Sequence, residues 1–285
     1  MLTTAHIDSV MRRALDEDAP WGDITSEAFI PVDATATAVL NAREPGVFAG
    51  GDVFAAAFRL TDPTADTTLH VADGERFDRG ATLGTVTGPA RAILRAERIG
   101  LNFCQRLSAI ATHTRALVDA VEGTAARITD TRKTTPGLRA LERHAVRCGG
   151  GRNHRFSLSD AVMAKDNHLA VLAARGLSVA DAIRTARESL GHTTALEVEV
   201  DSVDQIEPVL AGGVDIIMLD NFSLDELRTG VEIVAGRAVV EASGNVRLDT
   251  VRDIALTGVD VISSGALTHS IRSLDLGLDV VVDGS

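Results

Sequence analysis

Two residues in this chain stand apart by type. Lys133 and Lys165 are its only lysines among 28 basic side chains, and wherever else a positive charge is needed the sequence uses arginine. The two are not interchangeable: a lysine ammonium is a compact, strongly hydrated point charge, whereas a guanidinium is a planar fork. Both lysines fall between Asp130 and His168, with Arg132, Arg139, Arg143, Arg147, Arg152, His154, Arg155 and His168. Residues 127–168 carry nine Lys and Arg against four acids, while the rest of the chain carries 19 against 36, giving −12 in all. One basic segment in an acidic chain is unlike a nucleic-acid binder, which spreads positive charge over a face. It points instead to a pocket for a small polyanion. Arg139, Arg143 and Arg147, spaced four apart, fit the solvated face of a helix equally well. Arg132, Lys133, His154, Arg155 and Lys165 flank strand ends and the glycine run 149–151, where that reading is weaker.

The elements that must hold these residues fall into two kinds. Residues 5–17 place Ile7, Val10, Met11 and Leu15 on one helical face, ahead of a Pro-Trp-Gly-Asp break. Residues 34–87 read as short strands and turns around a short helix at 51–58. Gly88-Pro89 then opens a long helix to about Val121, with proline in its first turn; Arg98 and Arg106 on it read as solvated charges. From residue 127 short apolar runs alternate with helical patterns: ARITDT, AVMAKDN, ALEVEVD, DIIMLDN, VVEASGN and DVISSGA. Strands alternating with helices imply a parallel sheet. Polar residues gather at all six strand ends, including Lys165/Asp166/Asn167, which suits the active face of a β/α barrel. The expected fold is therefore α/β: a smaller α+β N-terminal domain over 1–110, then an incomplete, about six-stranded β/α barrel over 111–271. The tail at about 272–285 is expected to pack back on the first domain.

Chemistry can be assigned to the strand ends. Glu197 and Glu199 alternate with Val198 and share a face; a buried glutamate needs a partner, and Lys133 or Lys165 could supply one. Glu197 reads as a structural ion pair. Asp220, ending DIIMLD, suits a catalytic or ribose-binding carboxylate. Ser243-Gly244-Asn245 and Ser264-Gly265-Ala266 close the last two strands, where barrels often cradle a phosphate on backbone amides. Cations early, carboxylates in the middle and a cradle late suit a phosphorylated sugar meeting an anionic partner.

In order and spacing, DTRKTTPGLR, GGGRNHR, AKDNH, LEVEVD, IMLDN, EASGN and SSGALTHS resemble quinolinate phosphoribosyltransferase. DEDAPWGDIT, LRAERIGLNFCQRLSAIAT and LDLGLD extend the resemblance to nearly the full length. Ala109, Ser157, Met163-Ala164 and Ser264 depart from the family's usual pattern without removing a charged group. The resemblance implies transfer of phosphoribose from phosphoribosyl pyrophosphate to quinolinate with loss of CO2, giving nicotinate mononucleotide. It implies that Arg98, Arg132 and Arg155 read the dicarboxylate, with Thr131 and His154 nearby, and that Lys133 and Lys165 neutralise the leaving pyrophosphate. Glu199 and Asp220 would stabilise positive charge at the ribose. The cradle Ser243, Gly244, Asn245, Ser264, Gly265 and Ala266 would hold the 5′-phosphate, with His269 a weaker candidate. Mg2+ would arrive on the pyrophosphate, near Glu199 and Asp220, with no firm protein metal site. A homodimer with shared sites is implied, Arg98 reaching the neighbouring subunit's site.

The remaining features set bounds. No run of about 18 apolar residues and no signal-peptide start occur, so a soluble cytoplasmic protein is expected, without membrane or nucleic-acid partners. Cys104 and Cys148 form no CxxC pair and read as reduced thiols. No HExxH, Cys/His cluster or EF-hand loop is written locally. The rival functions are a paralogue with another substrate, a Schiff-base lyase using Lys133 or Lys165, and a metabolite-binding regulator without turnover.

Overall fold

The computed structural model describes residues 2–282 except Asp166, Leu169, Ala170, Leu172, Ala173 and Arg175. It divides into two compact units, one of Met1–Arg115, Thr134–Gly150 and Leu267–Ser285, the other of Ala116–Lys133 and Gly151–Ala266.

In the first unit, helix α1 (Thr4–Asp18) buries Ile7, Val10, Met11 and Leu15, the face marked by their spacing. A second helix, α2 (Ile24–Phe29), is capped by Asp23, which accepts from the amides of Thr25 and Ser26. Strand β1 (Thr35–Ala42) pairs antiparallel with β5 (Thr82–Pro89) and, on its other edge, with the tail strand β12 (Leu276–Val282). β3 (Asp66–Leu69) completes a four-stranded sheet in the order β12-β1-β5-β3. Alternate β1 residues Ala36, Ala38, Leu40 and Ala42 are buried, as one apolar face requires. Two-residue strands β2 (Gly46–Val47) and β4 (Arg76–Phe77) pair separately. Helix α3 (Gly51–Thr61) is buried through Phe54 and Phe58, whose rings meet edge to face at 4.9 Å. Pro89 ends β5 in register with Thr35 rather than opening the helix, and α4 (Ala90–Ala120) begins one residue later.

The division differs from a boundary at 110. Helix α5 (Arg139–Cys148) lies in the first unit, burying Leu141, Ala145 and Val146 and, with them, Glu142, which needs a cation. Arg106 supplies it, donating to Glu142 through Nε (2.9 Å) and Nη2 (2.7 Å) and also to the Thr268 carbonyl. Arg106 is therefore a structural ion-pair partner and not a solvated charge.

The second unit contains six parallel strands: β6 (Arg127–Thr129), β7 (Val162–Ala164), β8 (Leu196–Val200), β9 (Ile216–Asp220), β10 (Val239–Ser243) and β11 (Val261–Ser263). Their spatial order is β6-β11-β10-β9-β8-β7. Read cyclically, every strand neighbours its sequence neighbours, as in a β/α barrel, with one seam between β6 and β7. Between β6 and β7 in sequence, residues 134–150 belong to the first unit. Connecting helices include α6 (Val179–Ser189), α7 (Ile206–Leu210), α8 (Leu224–Val234) and α9 (Val251–Ala255). A capping box fixes the start of α8: Ser223 accepts from the Glu226 amide, and Glu226 accepts from the Ser223 amide. This holds the turn that follows Asp220.

Candidate active site

Register decides which side chains share the barrel interior. Glu199 lies opposite Met218, Met218 opposite Glu241, Asp220 opposite Ser243, and Ser243 opposite Ser263. With a period of two, Met163, Glu197, Glu199, Met218, Asp220, Glu241, Ser243 and Ser263 all occupy one face. Most of them open on a cavity of about 360 Å3, lined also by Thr131, Arg132, Lys133, His154, Arg155 and Lys165. Cations from the ends of β6 and β7 thus face carboxylates from β8, β9 and β10.

The cationic side is held by Asp130, fully buried at the end of β6. Its Oδ2 accepts from Asn153 Nδ2 (2.6 Å) and its Oδ1 from the His154 amide (2.8 Å), fixing the loop that follows the glycine run. Arg155 donates to the Ala161 carbonyl at 2.9 Å. Burial, and after it the neighbouring Arg132 charge, lowers the pKa of Arg155. Two neighbouring, partly buried guanidiniums favour an anion beside them. Lys165 forms its ion pair with Glu199, so its ammonium already faces the carboxylate side.

A buried network lies beneath. His154 Nε2 sits 3.2 Å from Glu197 Oε2 and 3.5 Å from Glu241 Oε2. Burial disfavours the charged ring, but hydrogen bonds to Glu197 and Glu241 outweigh it and raise the His154 pKa. The Arg155 amide, donating to Nδ1 at 2.7 Å, works against that rise because it needs the Nδ1 lone pair. Nε2 is thus the nitrogen that carries the proton between the two carboxylates. Burial raises the Glu197 pKa, the bond from His154 opposes this, and Glu241 adds to the rise. Glu197 Oε1, Glu241 Oε1 and Ser263 Oγ are buried without a hydrogen-bond partner. Glu241 and Ser263 line the cavity, so they offer polar atoms to whatever occupies it.

At the late strand ends, the backbone is bent for the purpose. Asn221 (φ 59°), Gly244 (φ 97°) and Asn245 (φ 49°) all adopt left-handed conformations directly after β9 and β10. Such residues cluster where a site over-determines the turn. At Gly244 a Cβ would also lie 2.2 Å from Asn221 Oδ1, so any other residue would have to displace that side chain in a conformation that already favours glycine. Asn221 donates to Asp220 Oδ2 (2.7 Å) and accepts from Asn245 Nδ2 (3.3 Å), tying the two turns together.

Family comparison agrees with this geometry. A model of the quinolinate phosphoribosyl transferase N-terminal domain matches residues 23–108, and one of its C-terminal domain matches residues 110–279. The chain belongs to the quinolinate phosphoribosyl transferase family. It is 44% identical over 292 residues to the nicotinate-nucleotide pyrophosphorylase [carboxylating] of Mycobacterium leprae, covering 98% of this chain and 100% of the relative. It is 41% identical over 266 residues to the probable enzyme of that name from Bacillus subtilis, covering 93% and 90%. The crystal structure of NadC from Streptococcus pyogenes superposes with a TM-score of 0.94, at 41% identity over 99% of both chains.

Within this family member, Thr131, Arg132, Lys133, His154, Arg155, Lys165, Glu199, Asp220 and Ser243 line one cavity, as their strand-end positions suggested. Glu197 pairs with His154 rather than with a lysine, and the lysine pair belongs to Glu199. Gly244 and Asn245 form the turn beyond Ser243 but do not line the cavity. The Ser264 amide donates to the Thr129 carbonyl (3.1 Å), and its neighbour Ser263 lines the cavity. Gly265 and Ala266 are not among the lining residues either. His269 belongs to the first unit, bonded to the Ser270 hydroxyl. Arg98 also lies in the first unit, exposed on α4, beside a cavity of about 300 Å3 with Asp18, Asp23, Ile24 and Arg95. Asp166 lies outside the described residues. The sequence alone points to no role for Asp130; for Glu241 the signal is an acid inside an apolar strand, VVEAS.

Proposed function

We propose that the barrel cavity transfers phosphoribose from phosphoribosyl pyrophosphate to quinolinate and releases CO2, the reaction that yields nicotinate mononucleotide for NAD biosynthesis. Family membership supports the reaction class. The observation that carries the residue assignment is the opposition, in one cavity, of Arg132, Lys133, Arg155 and Lys165 to Glu199, Asp220 and Glu241. Two polyanions repel in water; a cavity already crowded with partly desolvated cations offsets that repulsion.

In the reaction, the pyridine nitrogen forms a bond to the ribose C1 as the C1–O bond to pyrophosphate breaks. Arg132 and Arg155 match the adjacent carboxylates as forks, while Lys133 and Lys165 compensate the leaving group. Glu199 and Asp220 face the positive charge that develops at the ribose. The carbon–carboxylate bond at position 2 then breaks, its electrons are stabilised by the pyridinium nitrogen, and that carbon takes up a proton as CO2 leaves.

Two carboxylates on one wall, without a closed oxygen cage, fit Mg2+, which keeps several waters and substrate phosphates as ligands. Glu199 and Asp220 would hold it, and it would supply charge neutralisation for pyrophosphate. For a homodimer with shared sites the support is in the first unit. Trp21, Ile24, Phe29 and Val32, all within residues 21–32, are 80–93% exposed, and we read them as one apolar patch for a partner to cover. Arg98 borders a cavity that includes Ile24 of that patch, so a partner covering the patch would also receive the arginine. Among the described residues, no helix is long and apolar enough to cross a membrane; we place the enzyme in the cytoplasm.

The test is to incubate the purified protein with quinolinate, phosphoribosyl pyrophosphate and Mg2+. Nicotinate mononucleotide, pyrophosphate and CO2 should form in equal amounts. Binding without turnover would favour a regulator, and borohydride trapping of Lys165 or Lys133 with a carbonyl substrate would favour a Schiff-base lyase.

A further inference from the structure

The first unit holds a cluster of side chains that the phosphoribosyl reaction leaves unused. His144 and Cys148, four residues apart, project from the same face of α5. Asp73 meets them from the turn between β3 and β4, 71 residues away from His144. The distances are 2.6 Å from His144 Nε2 to Asp73 Oδ2, 3.5 Å from Cys148 Sγ to His144 Nε2, and 3.9 Å from Cys148 Sγ to Asp73 Oδ2.

Cysteine, histidine and aspartate in contact could be a nucleophile with its base and orienter. The geometry argues otherwise. In such a triad the thiol and the carboxylate use different ring nitrogens. Here one nitrogen, Nε2, faces both, so the three ligating atoms converge on a common point. Around tetrahedral zinc, with bonds of about 2.3 Å to sulfur and about 2.0–2.2 Å to nitrogen or oxygen, ligand atoms stand roughly 3.3–3.6 Å apart. The two edges that involve sulfur lie near that range, and the third needs to open by less than about 1 Å.

The surroundings are built to hold these groups in place. Asp73 Oδ1 accepts from the Gly51 amide at 3.0 Å, leaving Oδ2 turned to the cluster, the kind of outer support that metal ligands receive. The turn itself is fixed by Gly74, whose amide donates to the Phe48 carbonyl at 2.8 Å, and by the Glu75 side chain, which accepts from the Ala72 amide at 2.9 Å. Gly74 has φ 93°, and a Cβ there would stand 3.3 Å from the Cys148 carbonyl oxygen. A glycine is thus what lets the aspartate approach the end of α5. The His144 and Asp73 side chains are 32% and 26% exposed, which leaves an entry path and room for a water.

We propose that Asp73, His144 and Cys148 form a zinc-binding site with water as the fourth ligand. A thiolate and an imidazole select a borderline metal such as Zn2+ or Co2+ over the Mg2+ of the phosphoribosyl reaction. The ion would join the 72–75 turn to α5, locking two parts of the first unit.

Metal-stripped protein is titrated with Co2+ and, separately, with Zn2+. One equivalent of Co2+ should give thiolate-to-cobalt charge-transfer absorption and the visible bands of a tetrahedral site, and Zn2+ should bleach both. Cys148→Ser and His144→Gln should each weaken binding by more than about tenfold, since even loss of an outer-shell group costs about that much. Cys104→Ala should keep the cobalt spectrum, and the Mg2+-supported turnover of Cys148→Ser should equal that of the unaltered enzyme. Alkylation guards against a variant that fails to fold: in the unaltered protein Zn2+ should shield Cys148 from iodoacetamide. Absence of a cobalt–thiolate band, an unchanged Zn2+ affinity in folded Cys148→Ser, or alkylation indifferent to Zn2+ would each overturn the proposal.

Discussion

The two sides of the barrel cavity are built by opposite strategies. On the β6–β7 side, cations come close together: burial, and after it the Arg132 charge, lowers the Arg155 pKa, and the loop bearing Arg155 hangs on buried Asp130. On the β8–β10 side, two glutamates of one strand, two residues apart, are treated differently. Glu197 is 2% exposed and bound to His154, while Glu199 is half-buried and paired with Lys165. The difference separates charges aimed at the cavity from charges that support its floor.

The largest expected effect tests whether the cationic side is complete within one subunit. Arg98→Ala and Lys133→Ala should each be nearly inactive. In the proposed shared-site dimer, dissociation and random re-pairing should make about half the pairs hybrids, each with one intact site, so activity should recover to about a quarter of normal. Hybrids that form and stay inactive would remove Arg98 from the shared site. Next in size, nicotinate should be used at least about 10^3-fold less well than quinolinate in kcat/KM, because one guanidinium would be buried unpaired. Comparable use of the two would break the reading of Arg132 and Arg155 as a dicarboxylate pair.

The glutamate contrast can be sharpened directly. Glu199→Gln removes the Lys165 partner and a cavity charge, and kcat should fall about 10^2-fold. Glu197→Gln keeps a hydrogen bond to His154 and discards a buried carboxylate, so kcat should change by less than about threefold. Equal losses in the two variants would mean that burial does not separate their roles. The replacements Lys133→Arg and Lys165→Arg should each cost about tenfold in turnover with the fold retained by circular dichroism. Arg43→Lys, at an exposed ion pair, should be silent beside them.

The contrast also explains what could be read in the sequence. Nine cations within 42 residues of an acidic chain stand out, so Arg132, Lys133, His154, Arg155 and Lys165 were legible before any fold was known. Among 40 acids, Glu241 and Asp130 carry no such contrast, and their roles come only from strand register and the His154 loop. The six strands were legible because each pairs an apolar run with a polar end. The return of 134–150 to the first unit was not, since its contacts there, such as that of Arg106 with buried Glu142, are long-range in sequence. The place of Ser264 was hidden for a similar reason: its amide is held by a backbone hydrogen bond to Thr129, 135 residues away in sequence.

The most direct test of the central claim, that this cavity couples glycosyl transfer to decarboxylation, uses quinolinate labelled separately at its two carboxyl groups. Label from the 2-carboxyl should leave as CO2 only when phosphoribosyl pyrophosphate is present, one for each pyrophosphate, while label in the 3-carboxyl stays in the nucleotide. Release of CO2 without phosphoribosyl pyrophosphate, or loss of the 3-carboxyl label, would contradict it.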